Sequence, residues 1–287
     1  MPLRFLVVDG NTRDGRETHR ATYGMAYCES YAAVIREIEP DAVCDLAMPA
    51  DEGANLPDPA GLQSYDAVVL TGSALHAYHA DPAVTRQVEL ARSVYASGTP
   101  FFGSCWGIQI AAIAAGGEVR ANPRGREVGF ARNIAPTDAG REHPLMAGRA
   151  AAFDAPAIHL DEVAVPPGDV TVLARNAVSP IQAAEFRHDG GVFWGVQYHP
   201  EFSLREMAAI LGRYRPTLLA EGLFRTVEEH AAYVQDLTRL HDDRSRRDLA
   251  WRYAIGTDLL EDAARTTEIR NFIAHMVKPE RSRRGRG

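Results

Sequence analysis

Cysteine is scarce in this chain of 287 residues: only Cys28, Cys44 and Cys105 occur. Three cysteines with no Cys-x-x-Cys spacing exclude a disulfide framework and argue against a cysteine-based zinc site, so no metal is expected. Long apolar runs are missing too. No stretch approaches the roughly 20 apolar residues that a spanning helix needs, and no membrane contact is expected. The opening Met1-Pro2-Leu3-Arg4-Phe5 lacks the charged head and long apolar stretch of a signal peptide. Positive charge is not in excess: 31 Lys and Arg stand against 38 Asp and Glu, a formal net charge of -7. That balance argues against a nucleic-acid partner. Internal repeats and long low-complexity linkers are absent. These absences predict a cytoplasmic protein, in a reducing compartment where a free thiol persists.

What is present is an alternation of short apolar runs and helical patterns. Arg4 to Val8, Ala42 to Leu46, Asp66 to Thr71 and Pro100 to Gly103 read as strands. Thr18 to Glu39, Pro82 to Ser97 and Ile108 to Ala115 read as helices, the second bounded by a first-turn proline and a stopping Gly98. This order predicts an α/β fold with a mixed, mainly parallel sheet. After residue 118 the strands Val128 to Ile134, Val170 to Ala174, Ile181 to Arg187 and Val192 to Gln197 follow with few helices, which suggests inserted antiparallel strands. Arg205 to Arg215 returns to helix. From about residue 216 the chain reads as helical: Val227, Ala231, Val234, Leu237 and Leu240 recur at helical spacing, and Thr257 to Val277 reads as one further helix. The expected division is residues 1–215 as one domain and 216–287 as a helical extension. Its basic end, with Arg281, Arg283, Arg284 and Arg286, reads as a disordered tail.

Two segments carry chemistry. Gly103-Ser104-Cys105-Trp106-Gly107 places a cysteine between an apolar run and a helical pattern. A strand-to-helix elbow exposes a nucleophile, and the helix N-terminus favours the thiolate and an oxyanion. Small residues on both sides suit that sharp turn. Gln197-Tyr198-His199-Pro200-Glu201-Phe202 places a histidine and a carboxylate two apart, on one side of an extended segment. Pro200 biases His199 toward that extended form. Together Cys105, His199 and Glu201 are a nucleophile, a base and an orienter for thiol acyl transfer. Cys28 and Cys44 read as packing residues. His76, Tyr78, His79 and Asp81 read as a solvated loop, and Asp9-Gly10-Asn11 as a simple turn or a border of the ligand site.

These residues resemble the class I (triad) glutamine amidotransferases, in particular stand-alone proteins similar to the glutaminase domain of GMP synthase. The resemblance rests on Leu70-Thr71-Gly72-Ser73, Gly103 to Gln109, Gly125-Arg126-Glu127-Val128-Gly129 and Val196 to Phe202. It implies a three-layer, flavodoxin-like α/β sandwich. It implies that Cys105 attacks the side-chain amide of glutamine, that His199 moves the protons, and that Glu201 holds His199, through a γ-glutamyl thioester. The oxyanion would lie between the N–H groups of Ser73 and Trp106. Gly72 and Gln109 match substrate-site positions. The chain departs from the family in carrying Gly72-Ser73-Ala74 where many members have Gly-Gly-Pro, which leaves the backbone N–H of Ser73 for the oxyanion. His159, in a segment resembling a pocket-lining loop, reads as a structural or rim residue.

No Gly-x-x-x-x-Gly-Lys-Ser/Thr and no Ser-Gly-Gly-x-Asp-Ser occurs, so no ATP site and no cofactor is expected. Three functions stay open. The leading expectation is a glutaminase that passes ammonia to a separate synthetase subunit. The second is a free-standing hydrolase or transpeptidase of γ-glutamyl amides or peptides. The third is a non-catalytic binding protein on the same scaffold. A homo-oligomer is compatible with each.

Overall fold

Short apolar strands place the site. In the computed structural model, which describes residues 1–79 and 81–285, β1 (Arg4–Val8), β2 (Val43–Ala47), β3 (Ala67–Leu70) and β4 (Phe101–Ser104) alternate with helices. β5 (Glu118–Ala121), β6 (Glu127–Pro136), β7 (Phe153–His159), β8 (Asp161–Val165), β9 (Val170–Arg175), β10 (Ala183–His188) and β11 (Gly191–Val196) follow with little helix between them. Among the described residues nine strands form one sheet, in the order β2-β1-β3-β4-β11-β10-β9-β6-β7, while β5 pairs with β8 apart from it. From β2 to β11 neighbours run parallel, and beyond β11 they run antiparallel. The sheet is therefore mixed, with its larger part parallel and flanked by helices.

The period of two along each strand sorts the core into two layers. Phe5 and Val7 point with Val69 and Phe102 to one face, where Tyr31 and Ile35 of the helix Tyr27–Ile38 cover them. Leu6 and Val8 point with Val68, Leu70 and Phe101 to the other, under the helices Pro82–Ser97 and Trp106–Ala114. Strands buried on both faces read as continuous apolar runs, which is why these were visible in the sequence. A third cluster joins Met207 and Leu211 of the helix Leu204–Ala220 to Leu237 and Leu240 of the helix Val227–Asp242, with Phe130 and Phe202 beneath them.

Three local expectations are corrected. The helix expected over Thr18 to Glu39 is two helices, Arg13–Tyr23 and Tyr27–Ile38. The chain turns left-handed at Gly24 (φ 98°), whose N–H caps the first helix on Arg20 O. The helix expected over Thr257 to Val277 is broken into Thr257–Leu260, Asp262–Arg265, Thr267–Phe272 and a π-helical turn, Ile273–Val277. Glu261 between the first two is extended (φ -87°, ψ 118°), which ends the helix there. The basic end is not a loose tail through residue 285. Lys278–Arg283 is helical, Lys278 pairs with Glu39 at 2.5 Å, and Arg284 donates to the Gly98 carbonyl. Arg286 lies outside the described residues.

The helix Leu204–Ala220 continues through Pro216, across the position where the extension was expected to begin. Farther on, Ile269, Phe272, Ile273 and Val277 are buried in the same cluster as Phe5 and Phe102. The Phe272 ring lies 5.2 Å from that of Phe102 on β4.

Candidate active site

β4 ends at Ser104 and the helix Trp106–Ala114 starts one residue later, so Cys105 alone makes the turn. It does so at φ 53° and ψ -97°, a conformation that costs a residue with a side chain roughly 1–3 kcal/mol. Close packing holds it there. A Cβ on Gly103 would stand 2.7 Å from the Gly107 Cα, and one on Gly107 would stand 2.7 Å from the Leu70 carbonyl oxygen. The Cys105 N–H donates to Val196 O at 2.8 Å, which ties the elbow to the end of β11. Cys105 is the N-cap of that helix, the end at which unpaired N–H groups and the helix dipole favour negative charge.

Three residues beyond β11 lies His199. Its Nδ1 meets Glu201 Oε1 at 2.7 Å, and both side chains are buried. The ring stacks on Phe202 at 4.0 Å and 9°. The side chain also interacts with the Cys105 thiol. Burial by itself would pull the His199 pKa down, but the charges of Glu201 and Cys105 and their hydrogen bonds outweigh it and push it up to about 10. Those two neighbouring charges favour the protonated form of His199.

Gly72 is required by this ring. A Cβ there would stand 2.5 Å from His199 Cε1. The loop Gly72-Ser73-Ala74 follows β3 and is held from β1: Asn11 Nδ2 donates to Gly72 O at 2.9 Å, and Asn11 Oδ1 accepts from Ala74 N at 3.2 Å. Asp9 fixes Asn11 in turn by accepting from its N–H. The Ser73 hydroxyl accepts from Leu75 N within its own turn, at 3.1 Å. Trp106 is buried, and its Nε1 donates to Gln87 Oε1 at 2.7 Å. Gln109 sits one turn into the helix, where its Nε2 donates to Asp161 O at 3.2 Å and to Gln197 Oε1 at 3.4 Å. All seven residues singled out from the sequence therefore gather at the carboxyl ends of β3, β4 and β11.

Other residues fall elsewhere. His159 on β7 is buried, with Nδ1 on the Asp161 carbonyl (3.0 Å) and Nε2 on Glu127 (2.9 Å). The Cys28 thiol is pushed well up by burial and by nearby Asp9. His76 is not loose in solvent: its Nδ1 lies 2.7 Å from Asp161 Oδ2, so the loop after β3 is pinned to β8. Among the described residues no three His, Cys, Asp or Glu side chains gather as a metal cluster, and no helix is long and apolar enough to cross a membrane.

Sequence reasoning missed several residues. Asn11 was readable as a simple turn, although an Asx residue just past a parallel strand's carboxyl end is a signal in itself. Tyr214 of the helix Leu204–Ala220 lies within electrostatic range of the site: burial pushes its hydroxyl pKa up, Arg126 and Arg213 oppose this, and the Cys105 charge adds a smaller upward push. With Tyr214, the residues Asn11, Tyr27, Ala74, Arg213 and Thr217 are among those that line a cavity of about 330 Å³. Arg213 donates to Tyr27 there at 2.7 Å, while its buried Nε has no protein partner. Arg265 and Glu268, far along the chain, contact the His199 segment from behind.

Comparisons with known proteins agree with this architecture. Residues 43–213 match the family model described as glutamine amidotransferase class-I. A γ-glutamyl-L-1-hydroxyisopropylamide hydrolase from Pseudomonas sp is 37% identical over 287 residues, covering 98% of this chain and 96% of that protein. A glutamine-hydrolysing GMP synthase from Thermomicrobium roseum is 31% identical over 194 residues, 67% of this chain, and the match spans about a third of that synthase, 32%. A glutamine amidotransferase from Thermotoga maritima has the same fold, with a TM-score of 0.68 at 17% identity over 97% of this chain and 99% of that one. By its elbow, its sheet order and these matches, the chain belongs to the class I glutamine amidotransferase family, and its relatives mark it as a hydrolase.

Proposed function

We propose that this protein is a free-standing hydrolase of γ-glutamyl amides, working through Cys105, His199 and Glu201. One observation carries the choice between the open functions. The similarity to a γ-glutamyl amide hydrolase runs over the whole chain, helical extension included, whereas the GMP synthase match covers a third of that enzyme. A glutaminase that feeds ammonia to a separate synthetase uses the same first steps, and glutamine is the reference substrate against which the reading is tested.

In this reading Cys105 attacks the γ-carbonyl carbon as a thiolate, its proton resting on His199. The carbonyl oxygen becomes an oxyanion between the Trp106 and Ser73 N–H groups. Asn11 supports this by fixing the Gly72 and Ala74 peptides on either side of Ser73. His199 then gives its proton to the amide nitrogen, the C–N bond breaks, and the amine leaves. A γ-glutamyl thioester remains on Cys105. Water loses a proton to His199, adds to the thioester carbon, and glutamate departs as the thiolate re-forms. Glu201 holds the Nδ1 proton of His199 throughout. Gly72 leaves room for the ring, and Gln109 backs the pocket wall through Asp161.

A cavity bordered by Asn11 and Ala74, which flank the Ser73 turn, and by Tyr27, Tyr214 and Thr217 has a mixed lining suited to a small polar substituent on the leaving nitrogen. The test is glutamate release from glutamine and from a set of γ-glutamyl amides, γ-glutamyl-1-hydroxyisopropylamide among them, with Cys105→Ala as control. The expected result is Cys105-dependent turnover without any added protein, with kcat/KM higher for a hydroxyalkyl amide than for glutamine. Turnover that survives Cys105→Ala, or glutamine hydrolysis that appears only with a second protein, overturns the reading.

A further inference from the structure

We propose that Arg265 and Glu268, in the helical extension, are positioning residues that hold the His199 segment against Cys105. The inference rests on the Cys105–His199–Glu201 reading above and concerns residues beyond the family match, which ends at 213.

The argument begins at Pro200. Proline has no N–H, and Pro200 is buried, so its carbonyl needs a partner that the local chain does not supply. Arg265 supplies it: Nη1 donates to Pro200 O at 2.6 Å, while Nη2 is held by Asp262 at 3.0 Å. Arg265 is itself 4% exposed. On the other side of His199, Tyr198 is fully buried, and its hydroxyl donates to Glu268 Oε1 at 2.8 Å. Glu268 is aimed by Arg149, which donates to both carboxylate oxygens at 2.6 Å. Between these two tethers the His199 N–H donates to Pro156 O on β7 at 2.7 Å. Three consecutive residues are thus each pinned, and the two that flank His199 are pinned by the extension.

Packing alone does not account for this choice of residues. Apolar side chains of similar volume commonly fill such a site at no loss of stability, because burying an ion pair such as Arg149–Glu268 costs desolvation. What charge adds is direction: a guanidinium aimed at one carbonyl and a carboxylate aimed at one hydroxyl. Fixing the backbone on both sides of His199 sets where its ring meets the Cys105 sulfur. Apolar contacts, having no direction, set such an angle poorly.

The test uses the full chain with Arg265→Ala, Arg265→Lys and Tyr198→Phe, and His199→Ala as reference. Melting temperature reports folding. Steady-state kinetics on the amide that the wild type hydrolyses, and the pH dependence of Cys105 alkylation by iodoacetamide, report the site. In folded Arg265→Ala, kcat should fall about 10²-fold with KM within about twofold, as for a misplaced catalytic group. Its alkylation profile should move toward that of His199→Ala, and Arg265→Lys, which keeps a cationic donor, should regain part of the loss in both readouts. Tyr198→Phe, which removes one oxygen, should lower kcat about tenfold. Wild-type kcat and alkylation profiles in folded Arg265→Ala and Tyr198→Phe overturn the inference. If Arg265→Ala does not fold, Tyr198→Phe decides. If His199→Ala leaves Cys105 alkylation unchanged, the thiol–imidazole reading itself falls, and this inference with it.

Discussion

Of the buried histidine–carboxylate pairs among the described residues, two sit in different regions of the molecule and bear comparison. At the end of β11, His199 Nδ1 meets Glu201 at 2.7 Å; on β7, His159 Nε2 meets Glu127 at 2.9 Å. Distance and burial hardly separate them. The second nitrogen does. On His159 it is spent on the Asp161 carbonyl, and Glu127 is further crowded by Gln182 and Asn176. On His199 it faces a thiol on a strained elbow. A carboxylate beside an imidazole is therefore a structural unit wherever it is buried. What the second nitrogen meets, a backbone carbonyl in one pair and a thiol in the other, is the difference between them.

That comparison is broken most severely at His199 and Cys105. His199→Ala and Cys105→Ala should each lower turnover of a γ-glutamyl amide about 10⁴-fold or more, because members of such a unit fail together. Their thermal unfolding should remain cooperative, and steady-state kinetics beside a melting curve checks both points.

Glu201→Gln should cost less, because the base stays in place while its orienter weakens. It should also sharpen the electrostatic part of the comparison. His199 is raised from 6.5 to about 10 in the folded protein. The native state therefore binds more protons than the unfolded chain between those values. The stability this contributes is fully present below pH 6.5 and is lost as pH rises toward about 10. Urea unfolding across that range should show wild type and Glu201→Gln farthest apart at low pH and converging at high pH.

His159→Ala tests the other pair. It should destabilise the protein by about 1–3 kcal/mol, since Glu127 loses a buried partner. Its effect on kcat should be far smaller than that of His199→Ala, and urea unfolding with kinetics separates the two. The smallest effect belongs to the thiols outside the site. Cys44→Ala on β2 should leave kcat unchanged and stability within about 1 kcal/mol. Mass spectrometry after brief iodoacetamide treatment should find Cys105 modified and Cys28 unmodified, because burial holds the Cys28 proton in place.

Much of the parallel sheet was legible because its strands are covered on both faces and so read as plain apolar runs. The elbow was legible because its demands are local: small residues at 103 and 107 around a cysteine. β7 was not, since Pro156 within it reads as a breaker. A proline is tolerated there because β7 lies at the sheet's edge, and its carbonyl then receives the His199 N–H. Asn11 looked like a turn residue because its partners, Gly72 O and Ala74 N, lie over sixty residues away. The broken helices after Thr257 were hidden for a related reason. Helical spacing continues through them, past breaks at Glu261 and Thr266, while Arg265 and Glu268 find their buried partners on other elements.

The sequence by itself determined the chemical parts: one thiol at a strand-to-helix turn, one histidine with a carboxylate two residues on, and apolar runs that must be buried. Such features depend on neighbours along the chain. Tertiary structure decided how the parts are used. The parallel pairing of Gly195 with Gly103 and of Val196 with Ser104 brings the end of β11 to the elbow, across more than ninety residues. It decided which histidine meets the thiol and which groups hold the Pro200 carbonyl. In a buried site every polar atom must find a partner, and the partner is supplied by whichever element packs there.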